Sequence, residues 1–125
     1  MKIFELPSEH GHLRGAIWDN VKNPKGTIQI AHGLVEYHDR YDEFAKFLNE
    51  HGYIVYCNDH LGHGLHVKKG ELKGYFADEN GYEAVVDQLA EMNSVIRKAH
   101  PSLNHFFIGH SLGTALGLSF LKRNI

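Results

Sequence analysis

Apolar and β-branched residues along the first sixty positions fall into short runs separated by polar turns. Residues 3–6 read as a short strand ended by Pro7, and residues 12–18 as a partly alternating partner for it. Asn23-Pro24-Lys25-Gly26 carries turn chemistry, and residues 27–31 read as a strand that runs directly into His32-Gly33-Leu34. The period then changes. Between residues 39 and 50, Tyr41, Phe44, Ala45 and Leu48 fall on one helical face, with Asp39 as N-cap and Gly52 as the stop. Residues 53–57 form a continuous β-forming run, the pattern of a strand buried on both faces.

Residues 59–78 are glycine-rich and irregular, a loop long enough to suspect function. Asn80-Gly81-Tyr82-Glu83 then resembles a capping box, and Tyr82, Val85, Val86, Leu89, Met92 and Ile96 repeat at helical spacing as far as His100-Pro101. A last strand over residues 105–108 leads into a helix in which Leu112, Ala115, Leu116, Leu118, Phe120 and Leu121 cover most of the circumference, so burial on all sides is expected. Strands alternating with helices predict an α/β fold with a mostly parallel sheet and right-handed crossovers.

Composition narrows the class. The 125 residues suit one domain with a modest core, and 13 Lys and Arg against 15 Asp and Glu lack the basic excess of a nucleic-acid binder. Cys57 is the only cysteine, so no intrachain disulfide can form; its apolar neighbours suit a buried small hydrophobe. No run approaches the ~18 apolar residues of a membrane span, and a cytoplasmic location is the expectation. Peripheral contact with a membrane surface is compatible with that composition.

The stretch richest in chemistry is Gly109-His110-Ser111-Leu112-Gly113, a G-x-S-x-G between a predicted strand and a predicted helix. In that context a serine on a sharp turn projects its hydroxyl away from the sheet, and the positions two residues either side must be small. Ser111 is the expected nucleophile, and the backbone N–H of Leu112 one donor to an oxyanion. The second donor is expected from the loop after the third strand, His32-Gly33-Leu34, through the Leu34 N–H. The bland alternative is a serine N-capping a buried helix and a tight strand exit at His32-Gly33.

Three segments together resemble the α/β-hydrolases of the monoacylglycerol lipase/lysophospholipase type, the serine aminopeptidase-like family. They are His32-Gly33-Leu34-Val35-Glu36 through Arg40-Tyr41, Asp59-His60-Leu61-Gly62-His63-Gly64, and Gly109-His110-Ser111-Leu112-Gly113. Two positions depart from the family pattern: Tyr37 follows Glu36 where the family tends to have His, and Thr114 stands where a further glycine is frequent. The resemblance implies a serine hydrolase acting on a small ester or lipid-like substrate through an acyl-enzyme, without metal or organic cofactor. A peptidase, another small-ester hydrolase, or a non-catalytic half-domain that binds a partner are the alternatives.

The same resemblance implies that the triad acid and histidine follow the serine, yet the fourteen residues after Ser111 contain no Asp, Glu or His. The expectation is therefore the N-terminal portion of one α/β-hydrolase domain, cut after the nucleophile helix and inactive alone. Its last strand would need the missing half or another chain to cover it. His110 neighbours Ser111 but points to the other face, and His32, His38 and His63 have nothing in sequence aiming them at it. His60, His63 and His66 beside Asp59 invite a metal reading, but Gly62 and Gly64 make that loop flexible and no further ligand motif accompanies it. No metal site is expected there, nor at His10-Gly11-His12, and Lys68-Lys69 reads as a solvated face.

Overall fold

In the computed structural model, which describes residues 1–67 and 80–123, five strands form one sheet in the order β1-β2-β4-β3-β5. The strands are β1 Lys2–Ser8, β2 Gly11–Trp18, β3 Gly26–Ala31, β4 Tyr53–Asn58 and β5 Asn104–Gly109; the helices are α1 Asp42–Glu50, α2 Gly81–Ala99 and α3 Leu112–Arg123. β3 pairs in parallel with both β4 and β5, whereas β2 runs antiparallel to β1 and β4. The sheet is thus mixed, with β2 alone opposed to the common direction, and its helices flank it as an α/β fold requires.

The first strand runs through Pro7 rather than ending there, and Pro7 pairs with His12. β1 is the edge of the sheet, the place where a missing N–H is tolerated. β3 is buried along its whole length because it lies between two strands and beneath helices on both faces. Side chains alternate across the sheet accordingly. Ala16, Trp18, Ile28, Ile30, Val55 and Cys57 pack with Ala45 of α1 on one face. Leu13, Ile54 and Tyr56 meet Met92 and Ile96 of α2 on the other, and Ala31 meets Val85, Leu89, Leu116 and Phe120. The Trp18 indole N–H donates to Asp42 at 2.9 Å, tying β2 to the first turn of α1.

Local helix signals fared less well than the strands. Asp39 is not an N-cap: residues His38–Tyr41 form a 3₁₀ turn, and α1 begins three residues later with no side-chain cap. Phe44 faces solvent, so the buried face of α1 is carried by Ala45 with Tyr41 and Leu48 beside it. No capping box forms at α2 either. Asn80 adopts φ 51° and its carbonyl, not its side chain, receives the Ala84 N–H. Tyr82 is partly exposed and hydrogen-bonds Ser119 of α3 at 2.8 Å.

α3 is not buried all round. Leu116, Gly117 and Phe120 face the sheet, while Leu118 is 64% and Leu121 47% exposed. Phe106 on β5, which closes the other end of the described sheet, is also half exposed.

Candidate active site

The parallel pairing of β3 with β5 brings Ala31 opposite Gly109, so the loops that leave both strands emerge side by side. The His110 N–H donates to the Ala31 carbonyl at 3.1 Å and stitches the two exits together. That edge, beyond the carboxyl ends of parallel strands, is where ligands bind in open α/β sheets.

Between β5 and α3 the backbone turns at Ser111 with φ 55°, a left-handed conformation rare for a residue with a Cβ. Ser111 is exposed, and the turn closes through Gly113 N–H to His110 carbonyl and Thr114 N–H to Ser111 carbonyl, each at 2.9 Å. Both flanking glycines are sterically required. A Cβ on Gly109 would lie 2.6 Å from the Gly113 carbonyl oxygen, and one on Gly113 only 1.9 Å from that of Ala31. Thr114, one of the two departures from the family pattern, donates its hydroxyl to the Gly109 carbonyl at 2.9 Å and braces the same turn. Leu112 opens α3, while Leu34 sits exposed in the loop after β3.

His110, beside Ser111 in sequence, is tied to the loop after β3. Its Nδ1 meets Glu36 at 3.0 Å. Glu36 stood in the sequence only as a member of the first family segment, with no role given to it. Its Oε1 accepts from the Gly33 N–H at 2.5 Å, from the Tyr41 hydroxyl and from His110, and its Oε2 pairs with Arg40 at 3.0 Å. Burial by itself would raise this carboxyl, but the hydrogen bonds from Tyr41, Gly33 and His110 outweigh it and hold the group down to about 2. The Tyr41 hydroxyl is pushed up by burial and by the Glu36 charge. One carboxylate thereby fixes the His32-Gly33-Leu34 loop against the Ser111 turn. Arg40 and Tyr41, four and five residues beyond Glu36, were the available sequence signal.

The matching family model is the serine aminopeptidase S33 hydrolases, aligned over residues 22–125.

The chain belongs to this family.

Among curated relatives, the monoglyceride lipase homolog of monkeypox virus is 32% identical over 116 residues, 93% of this chain and 39% of that protein. Rat monoglyceride lipase is 30% identical over 101 residues, 81% of this chain and 31% of the relative. Among solved structures, a thermostable carboxyl esterase from Bacillus coagulans superposes with a TM-score of 0.85 at 25% identity, covering 95% of this chain and 39% of the esterase. The chain spans about a third of the length of the curated relatives it matches.

In this S33 chain the second histidine-rich segment is a packed support rather than a flexible loop. Asp59 is fully buried; its carboxylate accepts from the His38 N–H at 2.8 Å, the His38 ring at 2.9 Å and the Leu65 N–H at 3.0 Å. His60 is fully buried against His32, with ring centroids 3.9 Å apart. His63 and His66 are buried too, around a short 3₁₀ turn at Gly64–His66. Lys68-Lys69 and the rest of that loop to residue 78 lie outside the described residues. Ligand atoms of Glu9, His10 and Asp87 come within 4.8 Å of one another, but Asp87 is already engaged by His10 at 2.8 Å and Arg123 at 2.5 Å.

A cavity of about 460 Å³ opens beside Glu36, lined by Val35, Tyr37, Gly62, His63, Gly64, Leu65 and Val67. Tyr37, the other departure, contributes its partly exposed ring to this wall.

Glu36→Gln removes the charge that collects four donors. Hydrogen bonds to charged groups are worth ~1.5–3 kcal/mol, and the amide oxygen still accepts some of them, so a net loss of about 1–2 kcal/mol is expected. A lowered urea midpoint at unchanged m-value would measure it.

Proposed function

We propose that this chain carries the nucleophile and the oxyanion-binding backbone of a serine ester hydrolase. The carrying observation is Ser111, exposed and held at φ 55° between a strand and a helix by two glycines that tolerate no side chain. This is a nucleophile elbow: the turn lifts the hydroxyl off the sheet and presents it at the start of α3. Ser111 attacks the ester carbonyl as a base takes its hydroxyl proton, and the protonated base then gives that proton to the departing alkoxide, which leaves as the alcohol. The acyl-enzyme is then hydrolysed by water. The Leu112 and Leu34 N–H groups stabilise the oxyanion, with His32, Gly33, Gly109, His110 and Gly113 shaping the two loops.

The relatives' names, monoglyceride lipase and carboxyl esterase, support a lipid-like ester such as a monoacylglycerol or lysophospholipid as substrate. The family name keeps a peptide substrate as the second reading. In the order Ser, acid, His the acid and base follow the nucleophile, and residues 112–125 hold no Asp, Glu or His. The proposal therefore places both partners outside these 125 residues, with this chain alone inactive. Further chain, from the same protein or another, covers Phe106 and β5. The same proposal keeps the cytoplasmic location expected from sequence, and among the described residues no helix is long and apolar enough to cross a membrane.

In a chain long enough to include the acid and histidine, a fluorophosphonate probe labels the protein and Ser111→Ala abolishes the labelling. Undiminished labelling of that variant would put the nucleophile elsewhere. The 125 residues alone should give no turnover of a p-nitrophenyl ester.

A further inference from the structure

Val35 combines two unfavourable features. It is β-branched yet adopts φ 51°, where its Cβ crowds the following carbonyl, and glycine or asparagine is the usual occupant. It is also 72% exposed, so within the described residues its side chain gains little from burial to offset the strain. Strain of this kind persists where surrounding structure enforces it, and it concentrates at functional sites. Here the enforcement is visible. The next residue, Glu36, is locked by Gly33, Tyr41, His110 and Arg40.

The Val35 side chain lines the 460 Å³ cavity, within the ~300–1,000 Å³ of small-molecule sites. Tyr37, Leu65 and Val67 add apolar surface to that wall, while Glu36 and His63 line the polar side. Glu36 is among the residues that line the cavity, and its carboxylate also holds His110, the residue before Ser111. Apolar surface held out at a conformational cost, beside a polar wall, suits an uncharged amphiphile.

We propose that Val35 is a specificity-determining residue, packing against the alkyl part of a lipid-like ester seated in this cavity. The inference deepens the hydrolase reading and rests on it for the substrate class, but the contact itself is a binding event that does not require Ser111. Val35→Gly relieves the left-handed strain and removes the contact, so stability and affinity move in opposite directions. A residue that merely packed the fold would lose both together.

The test is titration of the longer protein that includes the triad acid and histidine with octyl glycerol ether, an uncharged monoacylglycerol analogue that cannot be hydrolysed. Saturable binding is expected, with NMR shifts at Val35, Tyr37 and Leu65. Val35→Gly should bind roughly fivefold or more weakly, as expected for losing a buried isopropyl group, while its Tm rises. Val35→Ala, which keeps the strain, should bind weakly without the rise. Leu118→Ala on the exposed face of α3 should change neither. The absence of saturable binding to the parent chain overturns the proposal, as does Val35→Gly binding as tightly as the parent or melting lower. Ether binding without fluorophosphonate labelling at Ser111 in the longer protein would sink the hydrolase reading and leave the subsite standing. Labelling without Val35-dependent binding would do the reverse.

Discussion

Gly113→Ala is expected to lose about 3 kcal/mol or more of stability and the Ser111 turn with it, although alanine is the better helix former by ~1 kcal/mol. The position lies in α3, so propensity alone favours the substitution. Packing decides against it. The added Cβ would sit 1.9 Å from the Ala31 carbonyl oxygen, 2.6 Å from its carbon and 2.7 Å from the His32 carbonyl oxygen. All three are backbone atoms of β3 or its exit; Ala31 is paired with Gly109 of β5, and its oxygen also accepts from His110. Relief requires α3 to move off the sheet, which drags Ser111 and separates Leu116 and Phe120 from Ala31. Against a total stability of ~5–15 kcal/mol for a domain, that loss places the variant near unfolding.

Gly117→Ala is the informative contrast. Its Cβ would meet Phe107 at 2.4 Å, but the contact is the rim of a side chain that can rotate. Propensity and clash are then comparable, and a change within about 1 kcal/mol is expected. Urea midpoints of the two variants, read by far-UV circular dichroism, test the distinction. Equal and small effects at both positions would mean that α3 sits farther from β3 than described.

The same glycine shows what a sequence can and cannot disclose. G-x-S-x-G between a β-run and a helical run was legible because the strain on the serine and the smallness of its neighbours are local properties of five residues. The strands were legible for a similar reason, since a period of two or an unbroken β-branched run needs no knowledge of partners. What escaped was everything set by distant contacts. Glu36 gained its role from His110, 74 residues away, and Asp59 from His38, 21 residues back. Asp39 and Asn80 carry cap-forming side chains, yet tertiary packing starts α1 after a 3₁₀ turn and puts Asn80 in a left-handed conformation instead. Leu118 and Leu121 suggested a helix buried on all sides; α3 is covered by the sheet and α2 only on the face of Leu116 and Phe120. The strand order, with β3 inserted between β4 and β5, follows from crossovers that no local pattern encodes.

Acidification from pH 6.5 to 4 should cost the fold about 3 kcal/mol through His32 alone. The ring is fully buried and its two nitrogens have fixed duties. Nδ1 donates to the Gly33 carbonyl at 2.7 Å, and Nε2 accepts the His60 N–H at 2.9 Å, so the neutral form is the one that fits. Protonation would place an N–H against the His60 N–H and put a charge on a fully buried ring. Burial is the main cause that lowers His32 from 6.5 to about 4, and the neighbouring His63 adds to it. The Gly33 hydrogen bond and the Asp59 and Glu36 charges pull the other way without prevailing. The unfolded chain takes up the proton at its ordinary value while the folded chain refuses it until about 4. The stabilisation is thus complete above pH 6.5 and drains away as pH falls toward 4. His60 is shifted in the same direction, chiefly by burial, and steepens the decline. Carboxylates cannot account for the upper part of this window. Glu36, held near 2 when folded, begins to matter only below its ordinary value of 4.5. Urea unfolding at pH 7, 5.5 and 4.5 should therefore show a slope that His32→Gln reduces by nearly one proton. An unchanged slope in that variant would mean that the His32 ring is reached by water and can charge inside the folded protein.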